Sequence, residues 1–188
     1  MTDAADDVAD ATADEAAVAR ARRLVAHAVA ELAAASARSE VLADFVPERR
    51  VLGLPRAARM TPAGRIWRLG ALLLDAEGRL YATGRVVRAE RPARKSVPAN
   101  AVAEQRAYRA AAVKGGIAEG ETVVFDAPPL PLDVESLRAG VGPLALAEVD
   151  RRPEVVVRWD PARADAVIPL GAYLADRVDL LAHPPQGA

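Results

Sequence analysis

The chain predicts an α+β fold: a small mixed sheet with a β-hairpin, packed by a long N-terminal helix, a central alanine-rich helix and a C-terminal amphipathic helix. Three observations carry that expectation. Apolar residues recur at three- and four-residue steps between Asp14 and Arg38, two apolar segments flank Asp75-Ala76-Glu77-Gly78, and Pro169 opens a second amphipathic run near the end of the chain.

In the first helix, expected from Asp14 to Arg38, Val18, Ala21, Val25, Ala28, Val29 and Leu32 form one apolar stripe, with Arg20, Arg23, His27 and Arg38 on the other side. Asp14 and Glu15 at its start and Arg38 near its end complement the helix dipole. Residues 47 to 64 hold three prolines, two glycines and four arginines without periodicity and read as a connecting loop with room for a short helical turn. Arg65 to Leu74 and Arg79 to Arg88 then form a hairpin, with Gly78 supplying the left-handed turn position. Three successive leucines, Leu72 to Leu74, require cover on both faces, as in a central strand.

A proline-containing loop leads to Asn100, a good N-cap, and to an alanine-rich helix that Gly115 and Gly116 terminate. Thr122 to Asp126 reads as a buried strand, followed by a proline-rich turn through Pro131. A short helix from Asp133 to Ala139 and a strand from Glu154 to Trp159 come next. The last helix, Pro169 to Ala182, places Leu170, Tyr173, Leu174, Val178 and Leu181 on one side, with Pro169 at its first position. The hairpin, helix and following strand suggest a right-handed crossover. Trp67 and Trp159 are the expected aromatic anchors of a core that must otherwise rely on Leu, Val and Ala, since only 4% of residues are aromatic.

With 188 residues, one core suffices. The expected organisation is an acidic, disordered leader over residues 1–13, a single domain over 14–183 and a short tail over 184–188. The chain has no cysteine, which removes disulfides, thiolate ligands and cysteine nucleophiles. The acidic start lacks the basic and apolar regions of a signal peptide, and no apolar run approaches a membrane span, so a cytoplasmic location without membrane contact is expected. His27 and His183 have no helical partner spacing, and no metal site or cofactor is expected. Gly115-Gly116 follows a helix, whereas a phosphate-cradling loop must precede one.

Charge is the most informative pattern. The net charge is −1, yet residues 79–114 carry seven arginines and two lysines against only Glu90 and Glu104, while the leader and the last third are acidic. Arg106 and Arg109 lie three apart on the central helix, near the loop with Arg91, Arg94 and Lys95, and forked hydrogen bonds from such guanidinium groups hold phosphates and carboxylates. The candidate anion-binding residues are therefore Arg85, Arg88, Arg91, Arg94, Lys95, Arg106 and Arg109, with an anionic small molecule or an acidic protein surface as partner. The plainer reading is a solvated basic face that balances the acidic carboxy-terminal part of the same molecule. Nucleic acid is disfavoured, because Tyr81 and Tyr108 are too few for a stacking platform and no reading motif is visible. The acidic leader could fold back over the basic segment, or act only as a solubilising tail.

Arg65-Ile-Trp-Arg-Leu-Gly, Gly78-Arg-Leu-Tyr-Ala-Thr-Gly-Arg-Val, Gln105-Arg-Ala-Tyr-Arg-Ala-Ala-Ala, Lys114-Gly-Gly and Phe125-Asp resemble a small group of uncharacterised actinobacterial proteins that often carry the label glutaminase. The resemblance covers roughly residues 64–182 and implies an amide hydrolase of bacterial origin. Two glutaminase chemistries conflict with the residues present. One needs a cysteine, and the other needs Ser-x-x-Lys, whereas none of Ser36, Ser39, Ser96 and Ser136 has a lysine three residues on. Ser96 beside Lys95 is the remaining nucleophile and base pair to weigh. The preferred expectation is a non-catalytic binding or regulatory module, with catalytic residues unknown. The rivals are the amide hydrolase and a structural subunit that pairs through an exposed sheet edge, and the sequence leaves the oligomeric state open.

Overall fold

The computed structural model describes residues 3–51, 54–91, 100–140, 142–160, 162–163 and 165–184. Among these residues four helices and a mixed sheet with a hairpin give the α+β class. Where length predicts one core, the described residues carry two, in two compact units. The first comprises Met1–Arg38, Trp67–Thr83 and Pro129–Ala188, and the second Ser39–Ile66 and Gly84–Pro128.

In the first unit, helix α1 (Asp3–Ala34) buries Val18, Ala21, Val25, Ala28 and Leu32, the stripe expected from periodicity. It begins at Asp3, so the acidic stretch read as a disordered leader lies within the helix. Alanine is the best helix former, and early aspartates suit the positive end of the dipole. Asp14 is not a helix start but a buried member of the stripe, and its Oδ2 accepts a hydrogen bond from Arg138 Nε at 2.5 Å. The helix ends before Arg38, because Ser36 turns left-handed (φ 50°) and the Ala37 amide reaches back to the Leu32 carbonyl.

The expected hairpin is present with a different partition. Strand β4 (Arg59–Leu69) turns at Gly70 into β5 (Leu72–Asp75), all four residues of which are buried, and β5 pairs antiparallel with β6 (Leu80–Ala82). The buried Asp75 carboxylate organises the β5–β6 turn by accepting from the Glu77 and Arg79 amides, from Arg79 Nε at 2.6 Å and from the Tyr81 hydroxyl at 3.0 Å. The short strand β9 (Pro129–Leu130) adds to β6. Helix α3 (Val134–Ala139) is capped by Asp133, and Gly140 closes it in the left-handed conformation.

A separate antiparallel sheet holds β10 (Leu144–Val149), β11 (Arg152–Arg158) and β12 (Val167–Pro169). Pro169 ends β12 and caps α4 (Leu170–Ala182) rather than occupying its first turn. Tyr173, Leu174 and Val178 of α4 are buried, and the Tyr173 hydroxyl donates to the Leu69 carbonyl while accepting from the Ala71 amide. Trp67 is a buried anchor whose indole donates to the Ala37 carbonyl. Trp159 is not an anchor: it lies just beyond β11 and is 51% exposed.

In the second unit, β1 (Glu40–Val46) pairs antiparallel with β4 and parallel with β8 (Thr122–Phe125), and β7 (Arg85–Arg88) pairs antiparallel with β8. Helix α2 (Asn100–Lys114) therefore joins antiparallel neighbours, and the expected right-handed crossover is absent: the parallel partner of β8 is β1, a strand that the sequence reading did not assign. Ala111 and Ala112 of α2 pack with Met60, Val87, Val123 and Phe125 in the second core. Gly116 (φ 92°) ends α2, and the Ile117 amide bonds to the Ala112 carbonyl, as the Gly-Gly pair predicts.

The described part of the segment 47–64 holds strands in place of the expected loop. Strand β2 (Arg49–Val51) pairs with β3 (Leu54–Arg56), and the register Arg49↔Arg56, Arg50↔Pro55, Val51↔Leu54 continues that of β1 and β4, where Val46 faces Arg59. The segment is one long antiparallel arm. Both of its strands are edges there, so Pro55 forfeits no ladder partner on a third strand.

Candidate anion-binding surface

The two units have opposite charge. The second holds 13 Lys and Arg against 8 Asp and Glu, a net +5, and the first holds 12 against 18, a net −6. The sequence-level segregation thus coincides with a structural division, and every candidate residue falls in the positive unit.

Within that unit the candidates among the described residues do not all share one face. Strand side chains alternate between faces, so Arg85 and Arg88, three apart on β7, emerge on opposite sides of the sheet. Arg85 shares its face with Val87, which belongs to the second core. Its guanidinium lies 4.3 Å from the Tyr108 ring centroid and 5.6 Å from that of Phe125. Nη2 donates to Glu104 Oε1 at 3.0 Å and Nη1 to the Tyr108 hydroxyl at 2.8 Å, which itself donates to Glu104 at 2.8 Å. Phe45, Tyr108 and Phe125 form an aromatic cluster below this network, with centroids 4.9 to 5.9 Å apart.

The hydrogen bonds that converge on Glu104, first from Tyr108 and then from Arg85, hold its carboxyl below the usual range. Hydrogen bonding to Glu104 raises the affinity of both the Tyr108 phenol and the Arg85 guanidinium for their protons. Arg85 is thereby fixed in place, which suits a structural clamp between β7 and α2.

Arg109 Nη1 pairs with Glu90 Oε2 at 2.7 Å, and Arg91 Nε lies 3.4 Å from Glu119 Oε2. Arg106 is exposed on α2. Arg94 and Lys95, with Ser96, lie outside the described residues. The sequence pointed to a balance with distant acidic residues, whereas three glutamates close by, Glu90, Glu104 and Glu119, supply the counter-charge. The Arg91 and Arg109 pairs are at the surface, with side chains 44% to 77% exposed, where an ion pair is worth about 0–1 kcal/mol and exchanges readily for another anion.

Sequence reasoning missed the arm. Arg49, Arg50 and Arg56 are exposed and Arg59 is half-buried, and none of the four joins an ion pair among the described residues. The signal was the run Arg49-Arg50-Val51-Leu52-Gly53-Leu54-Pro55-Arg56, nearly symmetric about its centre, which the surrounding prolines concealed.

Other polar groups serve the fold. Ser39 accepts from Arg65 Nε at 2.7 Å, and the Ser136 hydroxyl donates to the capping Asp133. His27 lies 3.8 Å from Glu31 and is largely exposed, and His183 bonds to Asp179 one turn away. Among the described residues no group of three or more His, Asp or Glu could hold a metal, and no helix is long and apolar enough to cross a membrane. In the first unit a groove of about 720 Å³ lies between α1, the β5–β6 turn and residues 129–133. Its two arginines are engaged, Arg22 with the Leu132 carbonyl and Arg79 with Asp75 and Glu77.

No family model, no curated protein and no solved structure matches the chain.

Proposed function

We propose that this protein is a non-catalytic binding or regulatory module whose positive unit takes an anionic ligand, either a small molecule or an acidic protein surface. The observation that carries the reading is the net +5 of the second unit in a chain whose total is −1. Such a unit attracts anions over about 10 Å at 0.1 M ionic strength, within the screening length. Arg88 on β7 and Arg106 on α2 are exposed, and Arg91 and Arg109 hold glutamates that an incoming phosphate or carboxylate can replace.

Calorimetric titration with inorganic pyrophosphate tests the proposal. Binding should occur at low salt, weaken as salt rises, and fall at least about tenfold in a variant with Arg88, Arg106 and Arg109 all changed to Gln, the loss expected for one charge-assisted contact or more. Absence of binding, or a variant that binds like the original, would refute it. The amide-hydrolase reading rests on the resemblance alone, and glutamine turnover by the purified protein would favour it instead.

A further inference from the structure

We propose that the arm formed by β2 and β3 is a duplex-DNA contact, seated in a groove with phosphates on both sides. The inference does not depend on the surface around α2 and stands or falls separately.

The register decides the geometry. Arg49 and Arg56 are direct cross-strand partners and share one face, with α-carbons about 4.5–5.5 Å apart. Like charges opposite each other destabilise a ribbon, and no carboxylate among the described residues relieves this pair. Arg50 is one residue further along and therefore points to the other face. Arg59 pairs with Val46, three positions from Arg49, and with the register unbroken it shares the face of Arg50. The arm thus carries two arginines on each face, against one carboxylate, Glu48, on its strands beyond Val46. At its end Leu54 is 71% exposed.

A flat acidic protein surface would meet only one face of such a ribbon and leave two arginines unused. A groove meets both. The major groove of B-DNA, about 12 Å wide, admits a two-stranded ribbon and presents a phosphate backbone along each wall. From the Val46–Arg59 pair to the Val51–Leu54 pair the arm spans five residue steps, about 17 Å, twice the roughly 8.5 Å depth of the groove, so the Val51–Leu54 pair can reach the floor while arginines remain at the walls. Stacking rings serve single strands and a reading motif serves sequence selection, and a ribbon that holds phosphates in a groove needs neither.

Fluorescence anisotropy of the full chain with a labelled 20-base-pair duplex between 50 and 200 mM NaCl tests the inference. Four phosphate contacts predict a log–log slope of about −3.6, an affinity loss of about 150-fold over that range. Arg49→Gln with Arg56→Gln, and separately Arg50→Gln with Arg59→Gln, should each reduce the slope by about 1.8, with circular dichroism and melting unchanged. Four outcomes would overturn the proposal: no duplex binding, variants that bind like the original, a slope sensitive to only one of the two pairs, or displacement of the duplex by poly-L-glutamate at equal charge concentration. Change of Arg88, Arg106 and Arg109 should leave most of the duplex slope intact, which separates this contact from the pyrophosphate site.

Discussion

Gly115 sits where the end of α2 touches the backbone of β4, and replacing it by alanine tests whether that contact holds the second unit together. A β-carbon there would lie 1.6 Å from the Met60 carbonyl oxygen, 2.6 Å from its carbonyl carbon and 3.0 Å from its amide nitrogen, all main-chain atoms that cannot rotate aside. Opening the nearest contact from 1.6 to 3.0 Å requires the helix end to retreat by 1.4 Å. That retreat would loosen Ala111, Ala112 and Ile117 from their neighbours Met60 and Phe125. Overfilling a packed site costs about 1–3 kcal/mol, and an obstacle made of backbone places this case near 3 kcal/mol. In a unit of this size each kcal/mol lowers the melting temperature by about 4–8 °C, so Gly115→Ala should lower it by about 12–24 °C. Differential scanning calorimetry is the assay, because two units with separate cores can melt in separate transitions. Gly64→Ala is the control, since nothing lies within 4 Å of its added carbon. Melting of Gly115→Ala within about 2 °C of the original, less than a 1 kcal/mol change would give, would refute the packing argument.

Asp133→Ala removes the cap of α3, whose carboxylate accepts from the Ser136 amide at 2.8 Å and from its hydroxyl at 3.0 Å, and should cost the first unit about 1 kcal/mol in urea unfolding. An unchanged midpoint would contradict the capping role. The Glu104 network makes a signed pH prediction. Because folding lowers the Glu104 pKa, its stabilisation is complete above the unfolded value of about 4.3 and disappears as pH falls through the lower folded value. Folding raises the Tyr108 pKa, so its stabilisation is complete below about 10 and is lost as pH rises through the higher folded value. Melting temperature measured from pH 3 to 7 should therefore drop less steeply in Glu104→Gln, and a parallel profile would remove the network from the account.

Features legible in the sequence were those set by local chemistry. The stripe on α1, the apolar side of α4, the short helix ending at Ala139, the Gly115-Gly116 terminus and the burial of Leu72 to Leu74 each depend on residues a few positions apart. What escaped reading depends on distant partners. Strand β1 is recognisable only from its pairing with β4 and with β8, some eighty residues later, and the sense of β8 relative to β7 is a property of the sheet rather than of either strand. Trp159 was expected inside because large rings usually are, but its place just past the end of β11 leaves it in solvent.

The basic character of the candidate site was legible by counting, but its geometry was not. Alternation along β7 separates Arg85 from Arg88, and the helix register brings Arg109 to Glu90, so residues close in sequence do different work. The arm illustrates the opposite failure. Prolines at 47, 55 and 62 argued against strands, and only the continuous register reveals a ribbon that tolerates them.

The central claim, that a nearly neutral chain presents a strongly positive unit, is tested most directly by ion exchange of the whole protein at pH 7.5 and about 10 mM ionic strength, where charges act over about 30 Å. The account predicts retention on a sulfonate resin despite the net charge of −1, release by moderate salt, and weaker retention once Arg88, Arg106 and Arg109 are changed to Gln. Passage of the unaltered protein straight through that resin would contradict it.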